Sequence, residues 1–149
     1  FTSYALQQNP NTRIGLAMPW EDFPLQYDNA SEHRDLTDRG YNLWMNMAGR
    51  LSSDFNNADV FTFYHGEAMY ELRHMYEEGN LSDVSQLMGS SNNSLFTDQK
   101  GHAGQIVVDT GTLLWMAAIH NVEPSSFPVF EDWETDIRMV AQNILSQDN

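Results

Sequence analysis

Residues 60–80, VFTFYHGEAMYELRHMYEEGN, decide the fold class, because the sequence changes there from a strand pattern to a helix pattern. Residues 60–64 are rich in aromatic and β-branched side chains, which predicts a strand. The apolar residues that follow recur at helical spacing: Ala68, Met69, Leu72, Met75 and Tyr76. Gly79 and Asn80 then indicate the end of a helix. A strand that leads directly into a helix is typical of an α/β fold.

An earlier part of the chain shows the same order. In NPNTRIGLAMPW, residues 9–20, the apolar run at 13–18 is short and bounded by turn residues, which predicts a buried strand that Pro19 ends. The polar residues 21–40 predict a surface loop with a helix beginning near its end, and place His33 in solvent. Asn56 and Asn57 predict the next turn. Apolar residues at steps of three and four predict a helix over residues 41–55: Tyr41, Trp44, Ala48, Leu51 and Phe55.

The rest of the chain adds helices rather than strands. Residues 81–94 predict a turn-rich connection, residues 105–120 a largely buried helix, and residues 130–145 a last helix with one apolar face. This order predicts a single α/β domain over residues 1–149, with three layers and a short parallel sheet flanked by helices. Two strands make a poor sheet for a chain of 149 residues. Either further strands are present, or part of the fold lies outside this chain.

The chain is strongly acidic, with 21 Asp and Glu residues against 7 Lys and Arg residues and a formal net charge of −14. Such a surface repels phosphate backbones and anionic headgroups, which argues against nucleic acids and membranes as partners. No apolar run reaches the roughly 18 residues that indicate a membrane span. The absence of cysteine excludes disulfides and thiolate metal sites, and it leaves the compartment unknown.

Asp98 and His102 lie four residues apart on a predicted loop, just before the apolar helix at 105–120. In serine hydrolases a histidine accepts the proton of the nucleophile, and a carboxylate holds the imidazole in the required tautomer. An acid and a histidine on one loop can meet that need, because the carboxylate can fold back onto the Nδ1–H group. The alternative is a polar helix start, where the positive end of the helix dipole favours an acidic side chain.

Three segments resemble the SGNH (GDSL-like) hydrolases. LFTDQKGHAGQIVVDTGTLLWMAAIHNVEP, residues 95–124, is similar to their C-terminal block, in which an Asp and a His precede a Gly-containing apolar helix. NPNTRIGLAMPW is similar to the strand that ends near the active site with an aromatic residue. VFTFYHGEAMYELRHMYEEGNL is similar to the strand, helix and connection that follow. The resemblance covers roughly residues 9–124 and implies a partial SGNH, flavodoxin-like fold.

The resemblance implies hydrolysis of an ester, for example an acetyl or other acyl group on a carbohydrate, without a cofactor or a metal. Asp98 would be the triad acid and His102 the triad base, while Trp20, His65 and Gly66 would contact the substrate. Two features depart from the family. Three residues separate Asp98 from His102 where the family usually has two. The G-D-S block that supplies the nucleophile is absent, as are the Gly and Asn blocks that supply oxyanion donors.

These departures lead us to expect that the chain is the C-terminal portion of such a hydrolase and is inactive alone. It has a base and an acid, but Ser3, in FTSYA, does not resemble the nucleophile block. A portion of this kind would expose a sheet edge and apolar surface, so we expect self-association as a homodimer. A chain that is monomeric in size-exclusion chromatography would count against this expectation.

Other interpretations of the same residues stay open. His65, Glu67 and His74 could hold a metal, although no regular metal-binding spacing occurs, and solvated side chains are the simpler interpretation. Trp20 and Phe23 could stack on a sugar or acyl group, or could cover the core. The rival functional class is a non-catalytic α/β module that binds a partner through Trp20, Phe23 and the acidic loop around them.

Overall fold

A computed structural model describes residues 1–56 and 58–147, which form five α-helices and two small two-stranded sheets. In chain order the elements are α1 (Thr2–Gln8), β1 (Arg13–Ala17), α2 (Ala30–Asp54), β2 (Asp59–Phe63), α3 (Glu67–Glu77), β3 (Gln86–Met88), β4 (Ser94–Phe96), α4 (Gln105–His120) and α5 (Ile137–Gln147). The mixture confirms the predicted α/β class. Within these described ranges, no helix is both long and apolar enough to cross a membrane. The turn predicted at Asn57 lies outside the described residues.

Both sheets are parallel. In the first, β1 pairs with β2, from Arg13 opposite Asp59 to Ala17 opposite Phe63. These are the two strands that the sequence predicts, and α2 provides the crossover that parallel strands require. In the second, β3 pairs with β4, with Met88 opposite Phe96. The prediction of a connection alone over residues 81–94 is therefore wrong, because strands of three residues are too short to show an alternating pattern.

Helix α2 begins at Ala30, well before its predicted start. The Asn29 side chain accepts a hydrogen bond from the Glu32 N–H at 2.9 Å, and the Glu32 carboxylate accepts one from the Asp28 N–H at 2.7 Å. This arrangement is a variant of the capping box, with the Glu32 carboxylate on the N–H of the residue before the cap, and it starts the helix in a stretch of weak hydrophobic periodicity. His33 therefore lies on α2 and is 0% exposed, so its predicted exposure is wrong.

Helix α5 begins at Ile137 rather than at residue 130. The Asp83 carboxylate accepts hydrogen bonds from the Glu134 N–H at 2.7 Å and the Thr135 N–H at 3.0 Å. The Asp83 side chain thus satisfies two backbone N–H groups that would bond to preceding carbonyls if the helix began at residue 130. The residues before Ile137 consequently stay irregular despite their predicted helical pattern.

The core lies where α3, α4, α5 and β4 meet. Its fully buried members include Ala68, Met69, Leu72, Leu95, Phe96, Ile106, Ile137 and Ala141. Strand β4 and the first turn of α4 both contribute to this set. The turn that joins them is therefore anchored in the core at both of its ends.

Candidate functional site

Asp98 and His102 lie on the turn between β4 and α4. The Thr97 N–H donates to the His102 carbonyl at 2.8 Å, and Phe96 forms an antiparallel bridge with Ala103. These contacts bring the two ends of the turn together. A tight turn whose two ends are anchored in the core can hold its side chains at a fixed distance and orientation.

One carboxylate oxygen of Asp98 organises the backbone of this turn. Asp98 Oδ1 accepts hydrogen bonds from the N–H groups of Lys100, Gly101 and His102 at 3.0, 3.1 and 3.3 Å. Gly101 has a φ of +99°, which favours glycine. A Cβ atom there would also lie 2.8 Å from Cδ of Pro24. The backbone between Asp98 and His102 thus wraps around a single carboxylate oxygen.

The other carboxylate oxygen of Asp98 contacts the imidazole of His102, with 2.5 Å between Oδ2 and Nδ1. Hydrogen bonds from this imidazole and from the backbone lower the pKa of Asp98, so the carboxylate is ionised and can only accept. His102 Nδ1 therefore carries a proton, and Nε2 is the acceptor in the neutral ring. The His102 side chain is 67% exposed. None of the described residues bonds to its Nε2.

This arrangement is chemically that of a general base. A carboxylate on Nδ1 selects the tautomer in which Nε2 can accept a proton, and it stabilises the imidazolium that then forms. The contact is exposed, so it contributes little to the stability of the fold. Its consequence is for the orientation and tautomer of His102 instead.

Trp20 lies beside the same turn. Its Nε1–H donates to the Gly101 carbonyl at 2.9 Å, and its ring centroid lies 5.5 Å from that of His65. The His65 ring also lies 5.8 Å from that of Trp115 on α4, and burial lowers the pKa of His65. Trp20 and His65 follow the carboxyl ends of β1 and β2, the sheet end at which α/β folds usually hold ligands. The structure therefore brings Trp20, His65 and the His102 turn together.

Gly66 is buried and allows two chain segments to approach closely. Its N–H donates to the Met18 carbonyl at 2.9 Å. A Cβ atom at this position would lie 2.6 Å from the Pro19 carbonyl carbon and 2.6 Å from the Trp20 nitrogen. Gly66 thus has a packing role beside Trp20, and its contact with substrate stays a prediction.

The residues of the alternative metal site have separate partners. Glu67 is buried and lies 2.7 Å from an Arg34 guanidinium nitrogen, while His74 is exposed and lies 3.3 Å from Glu78. His65 lies among aromatic rings. Over residues 1–56 and 58–147, no group of three or more histidine or acidic side chains is placed to hold a metal ion.

Sequence reasoning misses a polar cluster, here called the Arg73 cluster, in which Arg73 and His33 are buried and Glu77 and Tyr27 lie nearer the surface. The Arg73 side chain is 1% exposed and donates to the carbonyls of Pro24 at 3.0 Å and Tyr27 at 2.9 Å. Its Nε donates to Glu77 at 2.7 Å. The only sequence signal for this cluster is the spacing of four between Arg73 and Glu77, which is common on solvated helix faces.

His33 completes the Arg73 cluster from α2. Its Nδ1 lies 3.2 Å from Nη1 of Arg73, and because a guanidinium only donates, Nδ1 is the acceptor. The Nε2–H group then donates to the Glu21 carbonyl at 2.8 Å. Tyr27 stacks on the imidazole at 4.6 Å and Tyr70 meets it edge-on at 5.1 Å. The ring is therefore held neutral, with both nitrogens satisfied.

Mild acid should weaken the fold through His33. Burial lowers the pKa of His33 from 6.5 to about 4, assisted by the charge of Arg73 and opposed by the Glu21 hydrogen bond and the charge of Glu77. As pH falls from 6.5 towards 4, the unfolded chain binds a proton that the folded chain does not. The stability present above that range is therefore lost, by about 3 kcal/mol at most at 1.36 kcal/mol per pKa unit.

Urea unfolding at a series of pH values tests this expectation, with His33→Gln as the comparison. Other titrating groups are common to both proteins, so the difference in their pH dependence isolates His33. The parent should lose more stability than the variant between pH 6.5 and about 4. Parallel pH profiles for the two proteins would contradict the lowered pKa.

The candidate site thus combines three parts of the chain: the turn that carries Asp98 and His102, the residue Trp20 after β1, and the residue His65 after β2. All four are residues that the sequence singles out. A scan against protein-family models, a search of curated proteins and a search of solved structures each find no match for this chain. The geometry of these side chains is therefore the basis for a functional conclusion.

Proposed function

We propose that Asp98 and His102 are the acid and the base of an ester hydrolase of the SGNH (GDSL-like) type. The observation that carries this proposal is the 2.5 Å contact between Asp98 Oδ2 and His102 Nδ1 on an exposed turn. His102 Nε2 would take the proton of a serine hydroxyl as the serine oxygen attacks the ester carbonyl. It would then return that proton to the departing alcohol, while Asp98 stabilises the imidazolium.

The serine, on this proposal, belongs to a segment outside these 149 residues. The G-D-S block is absent from the sequence, and the hydrogen bonds of His102 within the described residues go to Asp98 and Thr97 and not to a serine. The chain alone would then hold the base and the acid without the nucleophile, and would be inactive. The reaction needs neither a cofactor nor a metal, because the charge that develops is handled by side chains and backbone donors.

The proposed substrate class is a small-molecule or carbohydrate ester. Trp20 and His65 lie at the same sheet end as the His102 turn, and Trp115 adjoins His65 from α4. Aromatic rings beside a catalytic group commonly form the apolar walls of ligand sites. We propose that Trp20, His65 and the neighbouring Gly66 lie against the acyl or sugar part of the substrate.

The finer fold that we propose is three-layered and corresponds to part of an SGNH, flavodoxin-like domain. Two neighbouring residues of β2 contact different helices. Thr62 Oγ1 donates to Met45 Sδ of α2 at 3.7 Å, and the Phe63 ring meets Trp115 of α4 edge-on at 4.9 Å. Successive side chains of a strand point to opposite faces, which supports helices on both sides of the sheet.

Exposed strands and exposed apolar side chains support the proposed homodimer of the isolated chain. Every residue of β1 and β2 is exposed or only half-buried, whereas parallel sheets are usually covered on both faces. On α4, three apolar side chains at the spacing of one helix face are also exposed: Val108, Trp115 and Ile119. Burying this surface against a second copy would remove apolar area from water.

Ester hydrolysis tests the proposed function, with the coding sequence upstream of Phe1 restored. We expect no turnover of p-nitrophenyl acetate by the 149-residue chain and clear turnover by the extended protein. In the extended protein, His102→Gln should lower kcat/KM by about 10²–10⁴-fold, because it removes the general base. Asp98→Asn should also lower it, because the imidazole loses the acceptor that selects its tautomer.

The matched control is His74→Gln, which replaces a histidine that is also exposed and paired with an acidic side chain four residues away. This variant should keep the parental kcat/KM. Turnover by the 149-residue chain itself would refute the absence of the nucleophile. Parental activity in His102→Gln would refute its role as base. An extended protein without activity would favour the non-catalytic binding module.

A further inference from the structure

The two carbonyls immediately before His102 are held by a distant part of the chain. The Trp20 Nε1–H donates to the Gly101 carbonyl at 2.9 Å. The Phe23 N–H donates to the Lys100 carbonyl at 2.9 Å. The outer side of the His102 turn is therefore fixed by residues that follow β1, and not by the turn itself.

Buried side chains fix the segment that supplies these two donors. Arg73 donates to the Pro24 carbonyl at 3.0 Å, and His33 Nε2–H donates to the Glu21 carbonyl at 2.8 Å. Breaking such a bond leaves a buried polar group unsatisfied, at a cost of about 1–3 kcal/mol. Trp20 is consequently presented to the turn by a segment that has little freedom to move.

The peptide between Gly101 and His102 is held on both sides. Its carbonyl accepts from Trp20 at 2.9 Å, and its N–H donates to Asp98 Oδ1 at 3.3 Å. Gly101 has no side chain to restrict rotation about its own backbone bonds. Rotation of this peptide would carry the His102 N–H away from Asp98 Oδ1 and so release the carboxylate whose other oxygen contacts the imidazole.

We infer that Trp20 is a positioning residue for His102, whose indole N–H locks the Gly101–His102 peptide so that the imidazole meets Asp98. This role is distinct from the substrate contact proposed for the Trp20 ring. The importance of the inference for catalysis rests on the proposed function. The positioning itself can be measured in the 149-residue chain, without a nucleophile or a substrate.

Nuclear magnetic resonance of Trp20→Phe tests the inference. The change keeps an aromatic ring and removes the indole donor. We expect the nitrogen resonances of the His102 imidazole to shift from those of a ring protonated at Nδ1 towards those of a mixture of the two tautomers, because its hydrogen bond to Asp98 is no longer held. We also expect the pKa of Asp98 to rise towards its ordinary range, since the His102 hydrogen bond is the main cause of its lowering.

The matched control is Trp133→Phe, which removes an indole donor from a bond of the same length, 2.9 Å to Asp109 Oδ2. It should leave the imidazole nitrogen resonances of His102 and the pKa of Asp98 as in the parent, while a loss of melting temperature can occur in both variants. Retention of both parental values in Trp20→Phe would overturn the inference. So would an equal change in the two variants, because the effect would then not be specific to Trp20.

Hydrogen exchange in the unmodified protein gives a second measurement if Trp20→Phe does not fold. The Trp20 indole N–H and the His102 amide should be protected to the same degree relative to their own intrinsic exchange rates, because one opening of the shared peptide exposes both. An indole N–H that is much less protected than the His102 amide would overturn the inference. These outcomes do not depend on ester hydrolysis, so they separate a failure of the positioning role from a failure of the proposed function.

Discussion

Replacing Arg73 by methionine should lower the free energy of unfolding by about 3–5 kcal/mol, because it leaves several buried or half-buried acceptors without a donor, at about 1–3 kcal/mol each. Arg73 is 1% exposed, so water cannot fully replace its bonds to backbone carbonyls, although the Glu77 side chain is 27% exposed. Glu77 would lose its partner at 2.7 Å, and the Pro24 and Tyr27 carbonyls would lose donors at 3.0 and 2.9 Å. Methionine keeps most of the side-chain volume, so the loss is mainly polar.

Arg13→Met is the control for this substitution. Arg13 also pairs with an acid, Asp59, at 2.6 Å, but the two side chains are 46% and 61% exposed. Water can replace that contact, so we expect a loss of about 0–1 kcal/mol. Urea unfolding of the three proteins gives both differences. A loss in Arg73→Met no larger than that in Arg13→Met would show that the Arg73 cluster does not anchor residues 20–27.

The parts of the fold that the sequence predicts are those with a local pattern. Strands β1 and β2 each lie in a short run of strand-forming residues that is bounded by turn residues. Helices α3 and α4 carry apolar residues at helical spacing. The start of α2 also has a local signal, the N-x-x-E pattern of Asn29 and Glu32, which outweighs weak hydrophobic periodicity. Strands β3 and β4 have no such signal, because each has three residues.

In the candidate site, too, the sequence predicts the contact between residues that are close along the chain and misses the contacts between distant ones. Asp98 and His102 share one loop, so their contact follows from a separation of four residues. The bond from Trp20 to Gly101 joins positions 81 apart, and the contact between His33 and Arg73 joins positions 40 apart. Hydrogen bonds over such distances leave no periodicity in the sequence. A buried histidine or arginine therefore looks, along the chain, like a solvated one.

Replacing Gly104 by alanine should lower the free energy of unfolding by about 3 kcal/mol, at the upper end of the usual cost of overpacking. Gly104 precedes α4, and its N–H donates to the Leu95 carbonyl at 2.7 Å. A Cβ atom there would overlap with the Ser94 carbonyl oxygen and would lie 3.2 Å from the Leu95 carbonyl oxygen. Both obstacles are backbone atoms of β4, so neither can rotate away, and either the strand or the helix must shift.

Gly111→Ala provides the matched control, because it makes the same change in the middle of the helix that Gly104 precedes. A Cβ atom at Gly111 would have nothing within 4 Å, so alanine should raise the free energy of unfolding by about 0.5–1 kcal/mol through its higher helix propensity. Urea unfolding should therefore give opposite signs for the two variants. Since α4 fixes the C-terminal side of the His102 turn, Gly104→Ala should also disturb the hydrogen bond between His102 and Asp98, whereas Gly111→Ala should not. A stabilising Gly104→Ala would show that β4 and the start of α4 do not approach closely enough to require glycine.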